Sequence, residues 1–551
     1  MLGVLATGAG LATSELVNGL YEDGRSPVVS AGEAFIDRTP PALKDWAIGN
    51  FGTSDKAVLV VGALAVIAML GVAVGHLAVR RRLPLAVALT VAISVVGGAA
   101  VLSRPNVAFA SLGPTVAGMA ASLGVLAWYW RGPGAFGADD AADRHTAAPL
   151  DRRQFVTGAA VITGSALVAA GTGQALGRRF GVASERDDLA LPGPDDAAGP
   201  LPARTTTAPL PAASSTSGPA PIPDAAGPLP GRAAGGPVPG AVDADESEGG
   251  GVEVGVPGVS PFVTGNEDFF RIDTALLVPQ LRAADWRLRV HGMVDRELTL
   301  NFEDLLARRQ IERYMTLSCV SNEVGGQLVG NALWQGALLG AILAEAGVQP
   351  GAEQLVSRSV DGWTCGTPLA EVMDGRDALL AVRMNGEPLP TSHGYPVRMV
   401  VPGMYGYVSA TKWVVDMEIT TWDAFDAYWV PRGWSQQAPF KMTSRIDTPR
   451  PGARLAAGRQ AIAGLAWHPH VGVSRVELQI DGGDWRDAEL ADVPSKDTWR
   501  QWVYRWDAEP GSHTIRVRAI NDAGHVQIYS PASVAPDGAS GYHAIDVRVS
   551  G

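Results

Sequence analysis

The chain has 551 residues, 46% of them hydrophobic and 18% charged, with a formal net charge of −12. That imbalance points to membrane segments rather than one large soluble core, and no basic block beyond Arg80-Arg81-Arg82 invites nucleic acid. Two cysteines exclude a disulfide framework, a zinc ribbon and a Cys-ligated iron–sulfur cluster, and without Cys-x-x-Cys-His there is no covalent haem.

Five apolar stretches precede residue 180, so the expectation for residues 1–180 is an α-helical transmembrane region. Met1 to Leu20 is the weakest, because it carries Glu15. Val58 to Val79, Leu83 to Leu102 and Val107 to Trp130 each approach the ~20 residues that a bilayer core requires. The last of these closes on an interfacial Trp128-Tyr129-Trp130 belt. Phe155 to Leu176, rich in Gly and Ala, is the fifth. The arginines 80–82 place their short loop in the cytoplasm. Alternation then puts the loop from Tyr21 to Lys56 outside, Arg131 to Arg153 inside, and everything beyond the fifth span on the outer face. Arg152-Arg153-Gln154-Phe155 resembles a twin-arginine export signal and reads equally as an ordinary positive-inside pair. His76 is the one histidine within a span, too few for a bis-histidine haem between helices.

Residues 181–258 turn to Pro, Ala, Gly, Thr and Ser with no hydrophobic period, which predicts a disordered tether. Residues 259–440 mix strands and helices, an α+β pattern. Strands are expected at Trp286 to Val294, Gln354 to Ser359, Ala378 to Met384 and Val397 to Val401. Helices are expected from Asn301 to Arg308 and from Leu338 to Ala346, the second ended by Gly347, and Asn385-Gly386 predicts a hairpin turn. From 443 to 551 short strands recur between Gly-rich turns, at Ala461 to Trp467, Val473 to Ile480, Trp499 to Trp506 and His513 to Ile520. This predicts an all-β, immunoglobulin-like sandwich without its disulfide.

Cys319 follows the hydrophobic β-type run Tyr314 to Leu317 and opens a turn of small and polar residues. A lone Cys is commonly an inert core residue; a thiol at a strand end is also placed to meet a metal. Five segments bear on the choice: Asn266-Glu-Asp-Phe-Phe-Arg-Ile-Asp273, Thr316-Leu-Ser-Cys-Val-Ser-Asn-Glu323, Met384-Asn-Gly-Glu-Pro-Leu-Pro390, His393-Gly-Tyr-Pro-Val-Arg398, and Val400-Val-Pro-Gly403 through Lys412-Trp413. Together and in this order they resemble the sulfite oxidase family of molybdopterin enzymes, in particular its membrane-anchored bacterial members.

The resemblance implies a molybdenum–molybdopterin cofactor, with Cys319 as the thiolate ligand of the metal and Asn322 as its hydrogen-bonding neighbour. It implies that His393 and Arg398 hold the pterin and its phosphate, and that Ser409, Ala410, Thr411 and Lys412 wrap the phosphate end. Phe270 and Arg271 match an early loop touching the cofactor, Ser359 a hydroxyl near the pterin, and Tyr405 a residue bordering the substrate funnel. Cys365 is expected to be without a role. The C-terminal sandwich matches the family's dimerisation domain, which implies a homodimer. Two departures stand out. Sulfite oxidases follow Cys-x-x-Asn with anion-binding arginines, where this chain has Glu323 and Val324; their active-site tyrosine corresponds to Val382. A carboxylate there repels sulfite. The expected function is oxygen-atom transfer on another small substrate at the outer face of the cell membrane, with reduction of an S- or N-oxide favoured. Electrons would be exchanged with a separate cytochrome or quinol-linked protein. The rival reading is a cofactor-less surface binding or assembly protein on a membrane tether.

Overall fold

The computed structural model describes residues 1–21, 25–39, 43, 55–104, 107, 109–131, 152–199, 201 and 251–550. Its N-terminal part is a helical bundle: α1 (Leu2–Asn18), α2 (Pro27–Arg38), α3 (Asp55–Val79), α4 (Leu83–Leu102), α5 (Gly113–Arg131) and α6 (Arg152–Gly177). Among the described residues four stretches are long and apolar enough to cross a membrane: Val58–Val79, Leu83–Leu102, Phe109–Trp130 and Arg153–Gly177. The first expected stretch, Met1 to Leu20, is not among them. α1 has 17 residues, about 25 Å at 1.5 Å per residue, and packs among α3, α5 and α6. Its small residues serve that packing, since a Cβ on Gly3 would clash with Gly71 O and one on Gly10 would lie 2.7 Å from Gly118 O. Helices approach this closely only through such residues.

The tether expected over 181–258 is shorter than its composition suggested. Residues 181–199 are docked on the following domain, with α7 (Ala183–Asp188) at their start. Val182 and Leu191 enter its core. Glu185 accepts from Ala283 N and Tyr395 Oη, and Asp196 pairs with Arg313 at 2.7 Å. At the other end Val252 is buried against Phe262 and Trp499. Most of the Pro/Ala/Gly run, with its acidic residues 243–248, lies outside the described residues.

The central region builds two sheets over one apolar core that includes Trp286, Met315, Trp334, Leu380 and Ile419. Its strands are β1 (Arg287–Gly292), β2 (Leu298–Asn301), β3 (Gln310–Ser318), β4 (Val329–Leu338), β5 (Gln354–Ser359), β6 (Thr364–Pro368), β7 (Leu379–Met384), β8 (Glu387–Pro388), β9 (Arg398–Val400) and β10 (Val414–Thr420). One sheet runs β2-β1-β10-β5-β6, with β1 and β10 parallel. The other runs β3-β4-β7-β8, and β9 joins β7.

Local signals behave as expected here. Asn301 and Asp304 form a reciprocal capping box on the helix Phe302–Leu306, and Gly347 ends Leu339–Ala346 at φ 74°. Asn385 and Gly386, at φ 53° and 81°, make the tight β7–β8 turn.

The C-terminal region is β-rich. A four-stranded sheet (443–448, 458–467, 500–508, 489–490) and a five-stranded sheet (454–456, 544–550, 511–521, 473–480, 486–487) enclose Ile462, Val476, Trp502, Ile515, Val517 and Val547.

Candidate functional site

β3 delivers Cys319 to the loop that returns as β4. This loop is tied from inside: Cys319 N donates to Leu328 O at 2.9 Å, and Asn322 Oδ1 accepts from Leu328 N at 2.8 Å. The carboxamide oxygen of Asn322 is thus spent on holding the loop. Two residues that sequence reasoning missed brace it from the C-terminal region. Arg445 donates to Gly326 O at 2.8 Å while paired with Asp447, and the His543 ring lies against Gly325. The Cys319 thiol is half-buried. Burial pushes its pKa up, opposed by hydrogen bonds from Ser321 and by the charge of Lys412.

A second group converges from the 266–273 segment, the 391–394 turn, β9 and the 409–413 turn. Arg398 is 4% exposed and its guanidinium lies 4.8 Å over the Trp334 ring. It donates to His393 O at 3.1 Å, Nε has no partner, and no carboxylate pairs with it among the described residues. Burial lowers its pKa to about 9. His393, 3% exposed, contacts Asn266 O through Nε2 at 3.1 Å, and its Nδ1 has no partner. Burial, then the charges of Arg398 and Lys412, take its pKa to about 3, so the ring is neutral.

Lys412 donates to Asp273 at 2.9 Å and to Ser392 O at 3.1 Å, and burial lowers its pKa to about 8. Arg271, partly exposed, shares the same Asp273 carboxylate. Gly394, at φ 113°, lets these strands close up: a Cβ there would lie 3.0 Å from Arg398 Cβ and 3.1 Å from Lys412 Cα. The nearby Ser359 hydroxyl is buried without a partner.

Two cations, Arg271 and Lys412, thus share one carboxylate, Asp273, while a third, Arg398, is buried beside them without one among the described residues. Isolated buried charge and unpartnered polar atoms are costly. The arrangement fits a ligand that is anionic at one end and offers hydrogen-bonding atoms along its body.

Other expected residues land differently. Ser409 donates to the Met404 and Tyr405 carbonyls, Thr411 pairs with Ser357 at 2.6 Å, and Ala410 N donates to Gly406 O. These bonds hold the turn, with the Ser409 and Thr411 hydroxyls engaged within the protein. Phe270 stacks on Phe269 with centroids 5.2 Å apart. Tyr405 packs on Phe440 with its hydroxyl against the Gly538 backbone, and burial raises its pKa to about 12. Cys365 is fully buried. Asn266 and Asn385 act together on the site. Asn385 bonds Leu333 N, Thr264 O and Asn266, and so places the carbonyl that meets His393.

Comparison with known proteins agrees with this chemistry. A family model described as the oxidoreductase molybdopterin binding domain matches residues 275–429. Mitochondrial sulfite oxidase of Mus musculus is 31% identical over 324 residues, 50% of this chain and 58% of that protein. Sulfite oxidase of Gallus gallus is 30% identical over 329 residues, 50% of this chain and 69% of that protein. The chain therefore spans 58% and 69% of the length of these two relatives. The uncharacterized oxidoreductase YuiH of Bacillus subtilis is 34% identical over 149 residues, covering 27% of this chain and 72% of that one. Among solved structures, the sulfane dehydrogenase SoxCD from Paracoccus pantotrophus aligns with a TM-score of 0.47 at 25% identity, covering 53% of this chain and 82% of that one. The chain belongs to the sulfite oxidase family of molybdopterin-dependent oxidoreductases, and its cofactor is molybdenum–molybdopterin.

Proposed function

We propose that this oxidoreductase is anchored in the cell membrane by its apolar helices and reduces a small S- or N-oxide on the extracytoplasmic face. Bound molybdenum–molybdopterin supplies two-electron oxygen-atom transfer. The observation that carries the reading is the pairing of a half-buried thiol at the end of β3 with a buried cationic cluster that holds unpartnered polar atoms.

In this reading Cys319 Sγ is the protein ligand of the metal, and Asn322 keeps its loop in place. Arg398, Lys412 and Arg271 neutralise the terminal phosphate, while His393 Nδ1 and Ser359 Oγ meet the pterin. Tyr405, kept protonated by burial, borders the substrate path as a neutral donor. Exposed Glu323 and buried Val382 stand where sulfite oxidases use polar and cationic residues. That composition disfavours an anion such as sulfite and suits a neutral oxide.

The outward orientation rests on Arg80–Arg82 and on one supporting arrangement. Asp37 in the last turn of α2 pairs with Arg104 after α4 and meets Tyr428 and Arg432 of the catalytic region, so these helix ends share its side of the bundle. Arg152 and Arg153 begin α6, in keeping with an export signal that delivers a folded, cofactor-loaded domain. We assign residues 1–180 to the membrane, 259–440 to catalysis, and 443–551 to an immunoglobulin-like domain through which the chain dimerises.

The test is elemental and pterin analysis of the full chain from a cofactor-competent host, with sulfoxide reduction driven by reduced methyl viologen. We expect about one molybdenum per chain and its loss in Cys319→Ala. Equal molybdenum in that variant, or loaded protein inert towards sulfoxides and N-oxides, would overturn the reading.

A further inference from the structure

The end of the helical bundle and the catalytic region enclose a cavity of about 460 Å³ that the site above does not use. Its size falls in the roughly 300–1,000 Å³ range of small-molecule pockets. We propose that it binds the head group of a membrane-soluble quinol, which delivers the electrons directly to this chain. The proposal rests on the reductase reading and names its electron donor.

Location is the first argument. Ser103 and Arg104 line the cavity immediately after the apolar helix α4 ends at Leu102, so it opens at the bilayer boundary. Phe35, between the lining residues Glu33 and Asp37, and Ile272, two residues before Thr274, expose apolar side chains, 55% and 50% accessible, in keeping with a lipid-level rim. A ligand dissolved in the membrane reaches such a cavity without crossing water.

The lining is the second argument. Trp363 and Tyr428 offer aromatic surface to a planar ring, with the Arg432 guanidinium stacked 3.7 Å over the Tyr428 ring. Arg104 presents donors for a quinone carbonyl, and Glu33 and Asp37 present acceptors for quinol hydroxyls. Asp37, not Glu33, takes the Arg104 ion pair at 2.8 Å. Burial holds the Glu33 carboxyl above its ordinary pKa, opposed by the charges of Arg104 and Arg25. Three carboxylates against two guanidiniums disfavour a lipid phosphate in the same space.

Shared walls are the third argument. Thr274 lines the cavity next to Asp273, the residue that holds Lys412 and Arg271. Asp361, Gly362 and Trp363 line it from the same turn that begins at Ser359, closed by Ser359 N to Trp363 O at 2.9 Å. The cavity and the cluster around Asp273, Lys412 and Ser359 therefore lie back to back across one turn and one short segment.

The balance closes. Oxidation of one quinol breaks two O–H bonds and releases two electrons and two protons. The protons pass to Glu33 and Asp37 and on to water. Reduction of one oxide consumes two electrons and two protons and yields the reduced compound and one water.

The test uses the full chain in nanodiscs and an azido-substituted short-chain benzoquinone as photolabel, with decylubiquinone as competitor. We expect labelled peptides from residues 27–38, 359–365 and 428–432, with labelling suppressed at least fivefold by the competitor. Ser103→Trp, which fills the cavity, should lower labelling about tenfold; Thr274→Trp fills it from the opposite wall should the first variant fail to fold. Labelling confined to other segments, labelling that decylubiquinone does not compete, a bound phospholipid that quinone fails to displace, or undiminished labelling in a folded filled variant would each overturn the proposal. Wild-type sulfoxide reduction with viologen, measured alongside, separates the outcomes. Viologen turnover without quinone labelling sinks the quinol site alone, and absent viologen turnover sinks the reductase reading.

Discussion

Arg398→Met should stabilise the cofactor-free protein while abolishing cofactor retention. Burial holds the guanidinium at about 9 against an ordinary value of 12.5. At about 1.4 kcal/mol per pH unit, that difference is a burial cost of about 5 kcal/mol. The folded pKa lies below the unfolded one and both states are charged at pH 7, so the cost is present throughout the range below about 9 and fades as pH rises towards 12.5.

Against it stand the contact with the Trp334 face, about 1–2 kcal/mol, and the hydrogen bond to His393 O, about 1.5 kcal/mol. Methionine fills the space with apolar contacts, so the net gain is about 2 kcal/mol. For a unit of this size that corresponds to roughly 4–8 °C in Tm. The assay is calorimetry of the full chain, prepared from hosts with and without molybdopterin synthesis, beside metal and pterin content. A variant that is less stable than wild type without cofactor would refute the reasoning, because the guanidinium would then be serving the fold rather than awaiting an anion.

Other outcomes follow from the same geometry. Because the folded pKa of His393, about 3, lies below its ordinary 6.5, stability is complete above 6.5 and drains away as pH falls towards 3; His393→Gln should flatten denaturation midpoints measured from pH 6.5 to 4. Gly394→Ala places a Cβ 3.0 Å from Arg398 Cβ at φ 113°, and should cost about 1–3 kcal/mol with loss of pterin, read by calorimetry and pterin fluorescence. Asn385→Ala removes bonds to Leu333 N, Thr264 O and Asn266, and should cost about 2–4 kcal/mol in denaturant titration while weakening cofactor retention more than Cys365→Ala does.

Short-range physics made much of this protein readable residue by residue. Hydropathy over ~20 residues marks α3 to α6 because the bilayer imposes that length whatever the neighbours are. The Asn301 cap, the Gly347 stop and the Asn385-Gly386 turn depend on φ/ψ and hydrogen bonds within a few positions, and they form where the chain spells them. Alternation located most strands, and Cys319 was recognisable at a strand end from the residues either side of it.

What the linear order hid depends on partners far along the chain. Residues 181–199 look like tether because Pro, Ala and Gly carry no period, yet Val182, Leu191 and Glu185 dock on surfaces more than 90 residues away. Arg445 and His543 steady the Cys319 loop from over 100 residues downstream. The hydroxyls of Ser409 and Thr411 resembled phosphate ligands by type, and the packing turns them inward. Whether a charge is satisfied is likewise a property of three-dimensional company: nothing in the order of residues separates Arg313, paired with Asp196 from 117 positions away, from Arg398, buried without a carboxylate. Folding decides that, because an ion pair forms by distance in space and not by distance in sequence.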